Sequence, residues 1–227
     1  MTHKRLIASI LFLSVMLAGC FPKYNVHPTP SEPQKVFYSK GKEVLVSLKT
    51  NLVMILSIKS KVKFNQKLEF YVFLKNKSFS PINISTANIT ATINGKRVGV
   101  YTYQQLVDEA QDMRNSSHFS NTLASALNTR AAVESGSYYN PNTGQATRML
   151  LEAESKTQAN KIDNRADANL YQIQSTALRK QTVFPGHNYS GKIKLKKIRL
   201  RKQSNLLQIN VFLDGESHSF RFWLSKA

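Results

Sequence analysis

From residue 43 onward the chain alternates. Val44, Val46 and Leu48 are each separated by one residue, and Leu52 to Ile58 is a dense apolar run. Leu68 to Asn76 reads Leu-Glu-Phe-Tyr-Val-Phe-Leu-Lys-Asn, rich in the aromatic and branched side chains that suit a pleated, half-buried surface. Residues 88–93 alternate again, and Asn94-Gly95 supplies the left-handed pair preferred in a two-residue hairpin, with Val98 to Tyr101 as its return. The period changes near Tyr103. Residues 104–130 contain neither Pro nor Gly, and Leu106, Ala110, Met113, Leu123 and Leu127 recur at three- and four-residue steps or their multiples, which predicts a helix. Turn chemistry at 136–144 interrupts it. A second helical run, 145–180, carries Met149, Leu150, Ala153, Ile162, Ala166, Leu170, Ile173 and Ala177. The two stripes are thin but adequate to zip the helices together. Strand patterning resumes at Thr182, turns at Pro185-Gly186, and continues through Lys192–Leu200, Leu206–Leu213 and Ser217–Leu224, with Asp214-Gly215 as a second hairpin signal.

Residues 42–102 and 180–227 together hold about eight short strands, close to the size of an immunoglobulin-like sandwich, whereas either half alone has too few strands to cover both faces of a core. The expected architecture is mainly β with an α insertion: an immunoglobulin-like antiparallel β-sandwich interrupted by a long helical hairpin at 103–179. Residues 20–41 include Pro22, Pro28, Pro30 and Pro33, four of the seven prolines, among polar neighbours. That composition favours extended, solvated chain and predicts a Pro-rich tether.

Charge refines the picture. The chain has 32 Lys and Arg against 13 Asp and Glu, for a net charge of +19. The excess is segregated: 103–179 holds seven bases and eight acids, 20–102 holds thirteen against three, and 180–227 ten against two. Lys192, Lys194 and Lys196 project from one face of a predicted strand, and the alternation slips at Lys196-Lys197 before Arg199, Arg201 and Lys202. These seven residues are the candidate anionic-surface contacts, and Lys59, Lys61 and Lys63 form a shorter row of the same kind. Such rows suit lipid headgroups, lipopolysaccharide phosphates or another polyanion. They also suit a solvated sheet edge that lysines protect from pairing. Nucleic acid is not the expected partner, because Phe70, Tyr71, Phe73, Phe220, Phe222 and Trp223 are spaced for a buried face. Tyr138 and Tyr139, at the predicted tip of the hairpin, are candidate contacts for a protein partner.

No catalytic constellation is legible. His27 falls in the predicted tether, His118, His187 and His218 are far apart in sequence, and no metal-ligand spacing links them. Gly186-His-Asn-Tyr-Ser-Gly191 lacks the Gly-x-Ser-x-Gly of a nucleophile elbow. The expectation is no enzyme, no metal and no cofactor beyond the covalent lipid discussed next.

Residues 1–19 combine a basic start at His3-Lys4-Arg5, an apolar run from Leu6 to Leu17, and small residues before Cys20. Leu17-Ala18-Gly19-Cys20 resembles the lipobox of bacterial lipoproteins. The resemblance implies a signal peptide cleaved after Gly19, and diacylglycerol and acyl groups on Cys20, which becomes the mature N-terminus. Phe21 follows, where an aspartate would signal retention in the inner membrane, so the implied location is the outer membrane, facing the periplasm. Cys20 is the only cysteine, so its lipidation would leave no thiol for a disulfide, a redox centre or a nucleophile. The chain also resembles bacterial envelope lipoproteins in its Asn88-Ile-Thr-Ala-Thr strand, its Tyr103-Gln-Gln-Leu helix start and its Thr182-Val-Phe-Pro-Gly return, which implies architecture and no activity. The expected function is a structural or adaptor binding module at the periplasmic membrane surface. Its expected partners are the membrane and, through the hairpin, an unidentified protein. A component of a secretion or conjugation apparatus and a cell-wall or polyanion binder are the alternatives.

Overall fold

The protein is described here by a computed structural model covering residues 22–137, 141–198, 200 and 204–227, with the side chains of 132–137 and 141–147 left out. The described strands are β1 (Lys23–Thr29), β2 (Lys35–Ser39), β3 (Lys42–Leu48), β4 (Leu52–Ser57), β5 (Lys61–Lys63), β6 (Glu69–Lys75), β7 (Ile82–Ile84), β8 (Ile89–Ile93) and β9 (Lys96–Val98). After helices α1 (Tyr103–Ser137) and α2 (Pro141–Thr176) come β10 (Gln181–Val183), β11 (Asn188–Lys194), β12 (Asn205–Leu213) and β13 (Glu216–Lys226). The described residues fall into two units, one of 22–84, 88–100 and 182–227, the other of 85–87 and 101–181.

The first unit is an antiparallel β-sandwich. One sheet has the order β5-β1-β13-β12-β8-β9, the other β11-β6-β4-β3-β2, and β10 pairs with β7 in a small third sheet. Alternate residues of each strand point inward, so Leu45, Ile55, Phe70, Leu74 and Ile193 of one sheet meet Tyr24, Leu207, Ile209, Phe220 and Phe222 of the other, all fully buried. The rings of Phe70 and Phe222 lie 4.9 Å apart across the interface. Asn94 and Gly95 turn β8 into β9 with φ of 48° and 79°, and Asp214 and Gly215 turn β12 into β13 with 42° and 81°. Both central residues are left-handed, as a twisted two-residue hairpin requires. Lys40-Gly41 makes a third such turn, between β2 and β3, at φ of 49° and 73°.

The predicted tether is not one. Residues 23–29 form β1, between β5 and β13 in the six-stranded sheet, and 35–39 form the edge strand β2. The reason is the parity of the prolines. Val26 N–H donates to Ser60 O at 2.8 Å on the β5 side, whereas Lys23 O accepts from Ala227 N, next to β13, also at 2.8 Å. Even-numbered positions therefore address β5, whose pairing covers only Lys23 to Asn25. Pro28 lies beyond that cover, so its missing donor breaks no ladder bond. The strand keeps its apolar side inward through Tyr24 and Val26, both buried.

The return at residues 182–187 is anchored by a buried amide. Asn76 Nδ2 donates to the carbonyls of Ser80 and Val183, both at 2.8 Å. Its backbone N–H meets His187 O, and its backbone carbonyl accepts from Gly186 N.

In the second unit α1 and α2 pack against each other. The helices run closer to the tip than expected, since α1 continues through Ser137 and α2 starts at Pro141, a first-turn position where a missing N–H is harmless. Leu106, Ala110, Ile173 and Ala177 form the buried base, with Tyr101, Tyr103, Val107 and Leu170 against it. Arg179 stacks over Tyr103, with the guanidinium carbon 4.5 Å from the ring centre.

Candidate functional site

The cationic strand is shorter and better anchored than its sequence suggests. β11 ends at Lys194, and the chain then changes sheets: Leu195 N donates to Leu68 O, and Lys196 N to Gly99 O, both at 2.8 Å. The slip falls there. Ile193 and Leu195 are buried before it and Ile198 and Leu200 after it, with Lys196 and Lys197 both exposed between. Lys192 is not a headgroup finger. Its side chain is 13 % exposed and its Nζ lies 3.9 Å from Glu69 Oε2. Lys194 is half-buried. Lys196 and Lys197 join Lys96 and Arg97 around a cavity of about 370 Å³ beside β9, the far edge of the six-stranded sheet. Arg199, Arg201 and Lys202 lie outside the described residues, as do Cys20, Tyr138 and Tyr139.

A second basic concavity, of about 670 Å³, opens at the opposite edge of that sheet, where Lys59, Lys61 and Lys63 are joined by Lys23. Lys23 sits directly across from Lys63 in the β1–β5 register. Like charges at that spacing repel, and a bound anion would relieve them. Lys23 escapes a sequence reading because only the strand pairing brings it to residue 63.

The helical unit holds a further surprise. The seam between the helices is polar along its distal part, where Arg114, His118, Asn121, Ser125 and Thr129 are the half-buried positions of α1. Arg114 and His118 meet Asp163 of α2 at 2.6 and 2.9 Å, and those hydrogen bonds, His118 first, hold the Asp163 carboxyl below the ordinary aspartate value. Leu106, Ala110, Ile173 and Ala177 of the expected stripes are buried at the base, but most of the distal members are exposed, and Phe119, which lies outside those stripes, joins them. Phe119, Leu123 and Leu127 are 71 %, 51 % and 60 % exposed, and Met113, Met149 and Leu150 are exposed as well. At about 100° per residue, Phe119, Leu123 and Leu127 lie within one sector, on the side of α1 opposite the seam.

The nearest approach to a catalytic arrangement is buried between the sheets. His218 Nδ1 lies 2.9 Å from Ser47 Oγ, and its Nε2 lies 3.2 Å from Glu216 Oε2. Burial pushes the imidazole below its usual range, partly offset by Glu216. Burial raises the Glu216 carboxyl, but hydrogen bonds from Thr50, Asn51 and His218 outweigh it and leave the group low. Ser47 is 4 % exposed and His218 0 %, so the serine has no open approach for a substrate. Sequence separation hid this chain, since 171 residues part Ser47 from His218. Among the described residues no cluster of three or more His, Cys, Asp or Glu is placed to hold a metal ion, and no helix is long and apolar enough to cross a membrane. No family model, curated protein or solved structure matches this sequence.

Proposed function

We propose that this chain is a lipid-anchored binding module of the bacterial envelope that works without turnover, held on the membrane by an acylated Cys20 and presenting its helical hairpin to a protein partner. The observation that carries the reading is the stripe of Phe119, Leu123 and Leu127, turned away from a seam of polar side chains. Large apolar groups in a contiguous exposed row mark interaction surfaces, and helix-on-helix docking reads them at this spacing.

The basic concavity supports the anchored part of the reading. With no tether, β1 begins three residues after Cys20, a reach of about 11 Å at most. Lys23, Lys59, Lys61 and Lys63 then lie near the headgroups, where each base contributes about 1 kcal/mol of attraction to an anionic surface. The outer membrane, facing the periplasm, is the proposed location.

Site-specific photo-crosslinking in intact bacteria tests the proposal. A benzophenone side chain at 119, 123 or 127 is expected to give a discrete adduct in the membrane fraction, and one at seam position 121 is expected to give none. Equal labelling at all four positions, or none at any, would discard the partner surface. Loss of membrane sedimentation and of acyl mass in Cys20→Ser is the matching expectation for the anchor.

A further inference from the structure

The five-stranded sheet is apolar on its outer side, where a sandwich ordinarily meets water. Register places Val46, Met54 and Phe73 in one row across β3, β4 and β6, and Val44, Leu56 and Tyr71 in the next. Phe37 of β2 extends the second row opposite Val44. Phe37 and Leu48 are about half exposed, and the face is hollowed by a groove of about 840 Å³. Its rim is basic. Lys35 stands exposed beside Val46 on β2, and Lys75 of β6 stands exposed beside Leu52 at one end of the face, whereas on β11 Lys192 is committed to Glu69, the acid on this face.

We infer that this face is a second docking site, whose occupant is an acidic amphipathic helix of another protein. Three facts favour that chemistry. The apolar centre spans three strands, roughly 10 Å, which is the diameter of one helix. The apolar rows run about 14 Å along the strands, the length of a helix of about ten residues. Lys35 on one long side and Lys75 at one end match carboxylates flanking a helical apolar stripe, and they oppose a second copy, whose own lysines would meet them. The face belongs to the sandwich, so the inference rests neither on acylation of Cys20 nor on the α1 stripe.

The test uses the full-length chain in phosphatidylcholine nanodiscs and two labelled 14-residue helical peptides. Both carry the same leucine stripe, flanked by glutamates in one and by lysines in the other. Fluorescence anisotropy is expected to show the glutamate peptide binding at least tenfold tighter, with the preference shrinking as salt rises. Met54→Lys and, at the sheet edge, Phe37→Ser are each expected to weaken it at least tenfold, with near-UV circular dichroism confirming that the variants fold. Lys35→Glu should weaken the glutamate peptide and strengthen the lysine one. Equal affinity for the two peptides, or indifference to both apolar variants, overturns the inference. So does a face that instead takes up phosphatidylglycerol in a Met54-dependent way, which would make it a lipid site. Dimerisation abolished by Phe37→Ser would assign it to a second copy and equally overturn it.

Discussion

Ser47 Oγ and His218 Nδ1 meet at 2.9 Å between the two sheets, one from each, at the end where β3 and β13 adjoin their turns. The contact continues through His218 Nε2 to Glu216 Oε2 and on to the Thr50 and Asn51 amides at 2.9 and 3.2 Å. The chain of bonds thus ties the β12–β13 turn to the β3–β4 turn. Every member has a partner, which is what makes a buried polar network tolerable. In the unpartnered state each group would carry its full desolvation cost.

Ser47→Ala should therefore cost more than a surface change, about 1–3 kcal/mol, because it strands a buried ring nitrogen. Urea unfolding followed by tryptophan fluorescence reads the loss, since Trp223 is the only tryptophan and lies on β13. A midpoint indistinguishable from the parent would show that the bond contributes nothing.

The same histidine makes the sandwich acid-sensitive. Its folded pKa is lowered, chiefly by burial. The unfolded chain therefore binds the proton more readily, and stability rises with pH. The contribution is fully present above the unfolded value near 6.5 and is lost as pH falls through the folded value. Glu216, also lowered, adds a second loss as pH drops below the ordinary glutamate value of 4.5. The expected result is a urea midpoint that declines from pH 7.5 to pH 5, with the decline much reduced in His218→Gln. An unchanged slope in that variant would assign the effect elsewhere.

Gly215→Ala is expected to destabilise by roughly 1–2 kcal/mol, because a side chain at left-handed φ is strained. A Cβ at this position would meet nothing within 4 Å, so the loss is conformational and not steric. Asp214→Gly, at φ of 42°, should be neutral or stabilising. Thermal melts of the two variants make the comparison, and equal melting temperatures would contradict it.

Carboxyl 13C NMR is the direct probe of the helical seam. Asp163 should titrate below an ordinary aspartate, and His118→Ala should move it up, since the His118 hydrogen bond is the foremost cause of the lowering and Arg114 the next. A titration unmoved by His118→Ala would mean that the seam contact is absent in solution.

The strands and turns were legible because their cues are local. Asn94-Gly95 and Asp214-Gly215 form the hairpins read from them, whereas Lys40-Gly41 was missed, since lysine carries no preference for the left-handed region. The Pro-rich segment misled because composition reports the average cost of proline and not its parity. Pro28 happens to present its missing donor where β5 no longer covers β1. The hairpin residues Leu123 and Leu127 were correctly periodic, yet periodicity says only that they share a face. The face that meets the second helix is apolar at the base, through Leu106, Ala110, Ile173 and Ala177, and polar beyond it, through the Arg114–Asp163 and His118–Asp163 pairs.

By itself the sequence determined the fold class, the insertion of the helices and the segregation of charge, because burial period, turn chemistry and formal charge are properties of neighbouring residues. Tertiary structure decided everything that depends on distant partners. It placed Lys23 beside Lys63, drew Lys192 against Glu69, turned the α1 stripe outward and joined Ser47 to His218. The physical reason is that a side chain's period can be read from its own segment. Its environment is set by whichever strand or helix the chain brings back against it.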